Sequence, residues 1–279
     1  MELSKRLQTV ANAVTPGSRV ADVGTDHGYV PIYLVERGLC PGAIAMDVNE
    51  GPLARAEEHI RAEGLSDRIQ TRKSDGLAAL APEETDAVVI AGMGGALMCR
   101  ILQDATAFLE AGRELILQPQ SEWFKVRRLL SASGYRITQE WFLEEEGKYY
   151  VVIKAGPAPG TLAEDAANAA AGDAGSNAAD GAAGNAGGDA ADGSAGDAGS
   201  NAADGAAGDA RDRFTDDFTC RYGAFLLDRR DPVLIAYLKK EAQKKRQILH
   251  NLSETDDKQR QRRRQLAKEL RDIEGYLGM

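Results

Sequence analysis

Three aspartates stand where apolar, β-branched runs end: Asp22 in VADVGTDHGY (20–29), Asp47 after AIAM, and Asp75 in KSDGL (73–77). A carboxylate at such a place accepts hydrogen bonds from an ammonium, a ribose diol or an exocyclic amine. Each alone also reads as a helix N-cap, since a helical stretch follows. Three acids at three successive strand ends are harder to assign to capping together. Gly24 and Gly28 let the backbone approach a ligand closely, and a strand-to-helix turn at the switch point of a doubly wound sheet is where nucleotide-like ligands bind. A dinucleotide site wants GxGxxG, and here Asp26 replaces its second glycine with a charge that repels a diphosphate. S-adenosylmethionine has no phosphate and carries ammonium and sulfonium charges, so an acidic loop suits it. A purely structural turn is the other reading.

The candidate cofactor residues therefore fall in four turns. The first supplies Asp22, Gly24, Thr25, Asp26, His27 and Gly28; the second, Asp47 (for ribose), Val48 and Asn49; the third, Asp75 (for adenine) and Gly76. The fourth run ends in AGMGG (91–95), which adds Gly92, Met93 and Gly94. Many enzymes that methylate an exocyclic amine carry an Asn/Asp-Pro-Pro-Tyr segment here. Its absence disfavours such a target, while a glycine turn leaves room for a planar base; a loop with glycines for closure is the alternative. Asp26, His27 and Tyr29 are the candidates nearest the reacting atoms, although a histidine in such a loop is as readily structural. His59 and His250 fall on polar helical faces, outside catalysis. No His/Cys/Asp spacing suits a metal and no Ser-His-Asp order suits hydrolysis.

The elements that must position these residues alternate. Apolar runs at 19–23, 43–46, 86–91 and 114–118, with a weaker one near 69–72, are separated by amphipathic stretches at about 31–38, 50–63, 96–110 and 121–133. The last of these should open on Ser121 as N-cap and stop at Gly134. Alternation of this kind predicts an α/β fold with a parallel, doubly wound, Rossmann-like sheet. Two β-rich runs in 135–155, split by Glu-Glu-Glu-Gly, predict a closing antiparallel hairpin. Methyltransferases of this fold finish that way; dehydrogenases finish with parallel strands.

From 156 to about 212 the chain is Ala, Gly, Asp, Asn and Ser, and DAGSNAADGAAG at 173–184 recurs at 197–208. With no large apolar residue, such repeats cannot offset ordering entropy by burial, so a disordered linker is expected. The catalytic domain is then 1–155 and a helical domain 213–279. In the latter, Asp231-Pro232 starts one helix. Leu234, Leu238, Leu249 and Leu252, then Leu266, Leu270, Ile273 and Leu277, give two stripes, an antiparallel coiled-coil hairpin.

Net charge is −9 but segregated: residues 156–210 hold nine acids and no base, whereas 211–279 hold 12 acids against 17 bases. Lys244, Lys245, Arg246, Arg262, Arg263 and Arg264 are the candidate RNA-binding residues of that basic tail, with a solvated helical surface as the alternative. Cys40, Cys99 and Cys220 form neither a disulfide framework nor a CxxC site, and no stretch is long and apolar enough for a membrane span. A cytoplasmic protein, a monomer, without metal or membrane association, is the expectation.

LSKRLQTVANAV (3–14), VADVGTDHGYVPIYL (20–34), AIAMDVNEGPL (43–53), IAGMGG (90–95) and LILQPQ (115–120) together resemble the bacterial tRNA adenine-N1 methyltransferase family that modifies adenine 22, often called TrmK. The likeness spans about 1–155 and resumes at RYGAFLL (221–227). It implies a Rossmann-like catalytic domain with a C-terminal coiled coil, S-adenosylmethionine as cofactor and tRNA as partner. The inserted repeat departs from the family pattern. Adenine N1 carries a lone pair, so transfer needs alignment more than proton removal; the product is a cation, and Asp26 is the carboxylate placed to favour it. Rival readings are methyl transfer to a small molecule or protein, a cofactor-binding RNA adaptor without turnover, and a nicotinamide-dependent oxidoreductase, which Asp26 disfavours.

Overall fold

The alternation closes into one seven-stranded sheet in the order β3-β2-β1-β4-β5-β7-β6, seen in a computed structural model that describes residues 1–160, 217–252 and 257–279. The parallel strands are β1 (Val20–Val23), β2 (Ala43–Asp47), β3 (Ile69–Lys73), β4 (Ala87–Met93) and β5 (Glu114–Pro119). Every residue of β1 is buried, as expected for a strand covered on both faces. Val20 pairs with Ala43 on one side and Ala87 on the other, so the three strands start level with one another. The chain winds one way from β1 to β3 and the other way from β4, which puts a crevice beyond the β1 and β4 ends.

The hairpin is β6 (Tyr135–Glu145) and β7 (Lys148–Pro157), with β7 antiparallel to β5. Glu146 and Gly147 turn it at φ 51° and 76°, the paired positive angles of a tight hairpin turn. It runs to Pro157, past the expected edge at 155.

The helices are α1 (Lys5–Ala13), α2 (Tyr29–Glu36), α3 (Glu50–Ala62), α4 (Gly95–Asp104), α5 (Thr106–Glu110) and α6 (Trp123–Ala132). Two differ from expectation. The single helix expected over 96–110 breaks at Ala105 (φ −110°, ψ 51°), and the bend lets Phe108 and Leu109 bury themselves. Ser121 does not cap α6: its carbonyl accepts from Gly95 N–H at 3.1 Å, binding the two turns together, and Glu122 takes the cap position at φ 52°.

After the undescribed stretch, 161–216, which holds most of the expected linker, come α7 (Asp217–Tyr222), α8 (Ala224–Asp228), α9 (Pro232–Asn251) and α10 (Asp257–Leu277). Asp231 caps α9, accepting from Val233 N–H and Leu234 N–H at 3.0 and 3.1 Å. Lys245–Glu269 and Arg246–Glu274 ion pairs tie α9 to α10 as an antiparallel hairpin. These helices are not detached from the catalytic domain. Tyr222, Leu226, Leu234, Leu238 and Ile273 belong to the same buried cluster as Val88, Ile90 and Leu115 of the sheet.

A buried ion pair makes the joint. Arg127 on α6 and Glu140 on β6 have fully buried side chains, Nε to Oε1 2.7 Å. Arg127 Nη1 also donates to the carbonyls of Cys220 and Arg221 at 3.0 and 2.9 Å. Burial pushes the Glu140 carboxyl up against the pull of Arg127. Gly223 completes the joint at φ +89°; a Cβ there would lie 2.4 Å from Glu140 Oε2.

Candidate active site

Asp22, the last residue but one of β1, has a side chain that is buried and has no ion-pair partner among the described residues. Burial pushes its pKa up to about 6; the Thr25 hydroxyl pulls the other way and the Asp47 charge adds to the rise. A buried anion without a cation is costly to keep, and a ligand ammonium would supply the missing partner. The turn that follows is held against β2, with Gly24 N–H and Thr25 N–H both donating to the Met46 carbonyl at 2.8 and 2.9 Å. Gly24 sits at φ +79°, and Met93 at the end of β4 reaches across to it, against the place where a Cβ would be. The β1 and β4 turns thus meet in the crevice, and Met93 is a flexible apolar group that can yield to a ligand.

Asp47 is half-buried and accepts from Asn49 N–H at 2.8 Å, which fixes one carboxylate oxygen and leaves the other for a diol. Val48, next to it, is half exposed despite its apolar side chain, a surface suited to one face of a flat ring. Ser74 N–H donates to the Asp47 carbonyl at 2.9 Å, joining the β2 and β3 turns. Asp75 is exposed at the lip of an open cavity of about 330 Å³ shared with Leu77, Arg100 and Ile101, while Gly76 is buried against Ile101. The three aspartates therefore stand at the ends of three adjoining strands, on one edge of the sheet.

Gly28 heads α2, and the candidates nearest the reacting atoms form a cluster around it. The rings of His27, Tyr29 and His59 stack on one another at centroid distances of 5.1 to 5.7 Å. His59 Nδ1 lies 3.1 Å from the His27 carbonyl. His59 was expected on a solvated face, and only the approach of α3 to the α2 end brings it here. Asp26 is largely exposed and pairs with Arg55 at 3.0 Å, with His27 Nε2 3.6 Å away. The carboxylate assigned to the product's charge thus already holds a cation.

On the far side of the crevice, Gly92 N–H donates to Gln118 Oε1 at 3.1 Å, and Gln120 N–H donates to the Met93 carbonyl at 2.8 Å. Gly94 caps α4. Beside this turn a cleft of about 340 Å³ opens between α6 and the C-terminal helices, lined by Gln120, Trp123, Phe124, Tyr222, Tyr237 and Lys245 among others.

Of the basic candidates, Lys244, Arg262 and Arg264 are exposed. Three others are used internally: Lys245 is buried against Glu269 at 2.7 Å, Arg246 is held by Glu274 at 2.6 Å, and Arg263 donates to the Leu252 carbonyl at 3.1 Å. Among the described residues no group of three or more His, Cys, Asp or Glu could hold a metal, and no helix is long and apolar enough to cross a membrane.

A doubly wound sheet closed by an antiparallel hairpin, with acids at the ends of β1, β2 and β3 and an acidic turn where a diphosphate loop would be, defines an S-adenosylmethionine-dependent methyltransferase. Residues 3–153 match the family model described as a methyltransferase domain. The tRNA (adenine(22)-N(1))-methyltransferase of Bacillus subtilis (strain 168) is 40% identical over 171 residues, 61% of this chain and 72% of that one. The crystal structure of the B. subtilis M1A22 tRNA methyltransferase TrmK matches with a TM-score of 0.72 at 29% identity, covering 99% of both chains. Streptococcus pneumoniae Sp1610 in complex with S-adenosyl-L-methionine matches with a TM-score of 0.72 at 30% identity, covering 99% of this chain and all of that one. The chain belongs to the tRNA (adenine-22-N1)-methyltransferase family.

Proposed function

We propose that this chain methylates N1 of an adenine in tRNA, adenine 22 by its likeness to the B. subtilis enzyme, using S-adenosylmethionine. The observation that carries the reading is the 40% identity to that enzyme over 171 residues. The site agrees with it. Asp22 takes the cofactor's ammonium, Asp47 the ribose hydroxyls and Asp75 the exocyclic amine of its adenine, with Val48 against the ring. When bound, the cofactor supplies an electrophilic methyl group carried on sulfonium.

The target N1 attacks with a lone pair it already has, so the protein need remove no proton; it must align the base and keep water out. Gly92, Met93 and Gly94 present backbone and one pliable side chain to that base. N1 lies on the pairing edge, so the adenine must leave any base pair before it reacts. The aromatic cleft next to Gln120 offers faces on which unpaired nucleotides can stack. Asp26, through Arg55 and His27, orders the rim of the turn rather than meeting the product's charge alone. Exposed basic residues of α9 and α10 follow the RNA backbone. Its substrate places the enzyme in the cytoplasm.

The test is methyl transfer to tRNA lacking the modification, followed by mapping of the altered nucleotide. A single 1-methyladenosine at position 22 is expected. Methyl transfer to a small molecule or protein but not to tRNA would overturn the substrate, and cofactor binding with no transfer would make the chain an RNA adaptor.

A further inference from the structure

Two motifs remain without a role in that account, LSKRLQ at the start of the chain and LQPQ at the end of β5. The structure joins them. Arg6, on the first turn of α1, is half-buried and donates through Nη1 to Gln118 Oε1 at 2.8 Å. The same oxygen accepts from Gly92 N–H, so one fully buried amide ties the guanidinium to the end of β4. Tyr150 lies under the guanidinium, 5.6 Å from Cζ to ring centroid, and Nη1 is 3.9 Å from where a Cβ of Gly92 would stand.

Arg6 combines an unanswered charge with a fixed orientation. Along this rim Lys73 is paired with Glu50, Arg55 with Asp26 and Lys125 with Glu122. The Arg6 backbone N–H donates to Glu145 Oε1 at 3.2 Å, but no carboxylate pairs with its guanidinium among the described residues; the anchors of that group are a neutral amide and a ring face. Both hold its orientation and neither neutralises it. A half-buried, pre-oriented guanidinium is a fork for a planar anion.

The cofactor has such an anion. Its methionine end is a zwitterion, and Asp22 answers only the ammonium. Across the sheet the acids follow strand order, Asp75 on β3, Asp47 on β2 and Asp22 on β1; the next strands are β4 and β5, where Arg6 stands on Gln118. We propose that Arg6 receives the α-carboxylate of S-adenosylmethionine and that Gln118 is the residue that positions it. The assignment rests on the cofactor reading above. It makes Asp22 and Arg6 a matched pair, one charge for each end of the amino-acid group.

The test compares S-adenosylmethionine with decarboxylated S-adenosylmethionine, which lacks only this carboxylate, by calorimetry on the full-length protein. Arg6→Ala should weaken S-adenosylmethionine and S-adenosylhomocysteine by about 30- to 100-fold, the range for a lost charge-assisted contact. The decarboxylated analogue should bind wild type and Arg6→Ala within about twofold of each other, which also shows that the variant folds. Arg6→Lys, which keeps the charge but not the fork, should fall between. Equal weakening of all three ligands would make Arg6 structural and overturn the assignment. Unchanged cofactor affinity with a raised KM for tRNA would move Arg6 to an RNA phosphate and overturn it likewise. If wild type binds no S-adenosylmethionine at all, the cofactor reading fails and takes this assignment with it; normal wild-type binding with an unaffected Arg6→Ala sinks the assignment alone.

Discussion

At the scale of single residues, the site is organised by a buried carboxylate that lacks a cation. The Asp22 pKa is raised from 3.8 to about 6 in the folded chain, so folding favours its protonated form. The stability associated with that form is present below about pH 4 and is lost as pH rises through 6, by roughly 3 kcal/mol at most. Asp22→Asn should therefore melt at a higher temperature than wild type at pH 7.5 and close to it at pH 4, by calorimetric scanning. Cofactor binding should run the other way. Wild-type affinity should fall as pH drops from 7.5 through 6, while the Asn variant binds weakly and without that slope; a pH-independent wild type would remove Asp22 from the ammonium. The placement of Asp22, Asp47 and Asp75 at strand ends was legible because the end of a buried strand is a local pattern. The contacts of Arg6 with Gln118 and of His59 with His27 were not, since each joins elements distant in sequence. Lys245 and Arg263 were misjudged for a related reason: a count of charges does not say which of them face a neighbouring helix.

At the scale of elements, α10 shows how burial sorts the basic tail. Leu266 and Ile273 are buried, and Arg264, Lys268 and Arg271, at spacings of four and three, form an exposed stripe on the opposite side. Those three, rather than the Arg262–Arg264 run, make a continuous line along one face. Replacing all three with Gln should weaken tRNA binding and reduce the slope of log K against log salt by about 2 to 3, at roughly 0.7 to 0.9 for each lost phosphate contact. Filter binding across a salt series reads both, and cofactor affinity should not move. An unchanged slope would mean that RNA is held elsewhere, with the aromatic cleft between α6 and α9 the next place to look. Element boundaries were mostly readable from periodicity and caps, as with Asp231-Pro232. The Ser121 cap failed because α6 starts one residue later than a Ser121 cap requires, with Glu122 at a positive φ in the cap position while the Ser121 carbonyl bonds Gly95.

For the whole molecule, the C-terminal helices and the catalytic domain share one core, and the RYGAFLL motif is where they lock. Gly223→Ala puts a methyl group against the buried Arg127–Glu140 pair at a positive φ, and should cost about 2 to 4 kcal/mol in urea unfolding. Removing one partner, as in Arg127→Met, should cost as much by stranding Glu140. A variant as stable as wild type would show that the joint is open in solution. It follows that a fragment ending near 155 is a poor control for RNA binding, since it strips the cover from Val126, Leu130 and Phe142 as well as the basic helices. The sequence displayed the two domains as separate because composition changes so sharply between them, and composition says nothing about who packs on whom.

The two ends flanking the undescribed stretch are moored to the same helix. Ala158 N–H donates to the Gly134 carbonyl just past the end of α6, and Asp217 pairs with Arg128 within it. The moorings stand six residues apart in sequence, within α6 and just past its end, a gap of roughly 9 Å at helical rise. Chain length there is thus unconstrained by geometry: a tether of eight residues closes the same gap, and by polymer statistics shortening it changes closure entropy by only about 2 kcal/mol. Deleting 161–208 should leave cofactor affinity intact and the melting temperature equal or slightly higher. That outcome would make the position an insertion port, a place where the gene can gain or lose repeats without the rest of the fold registering the change.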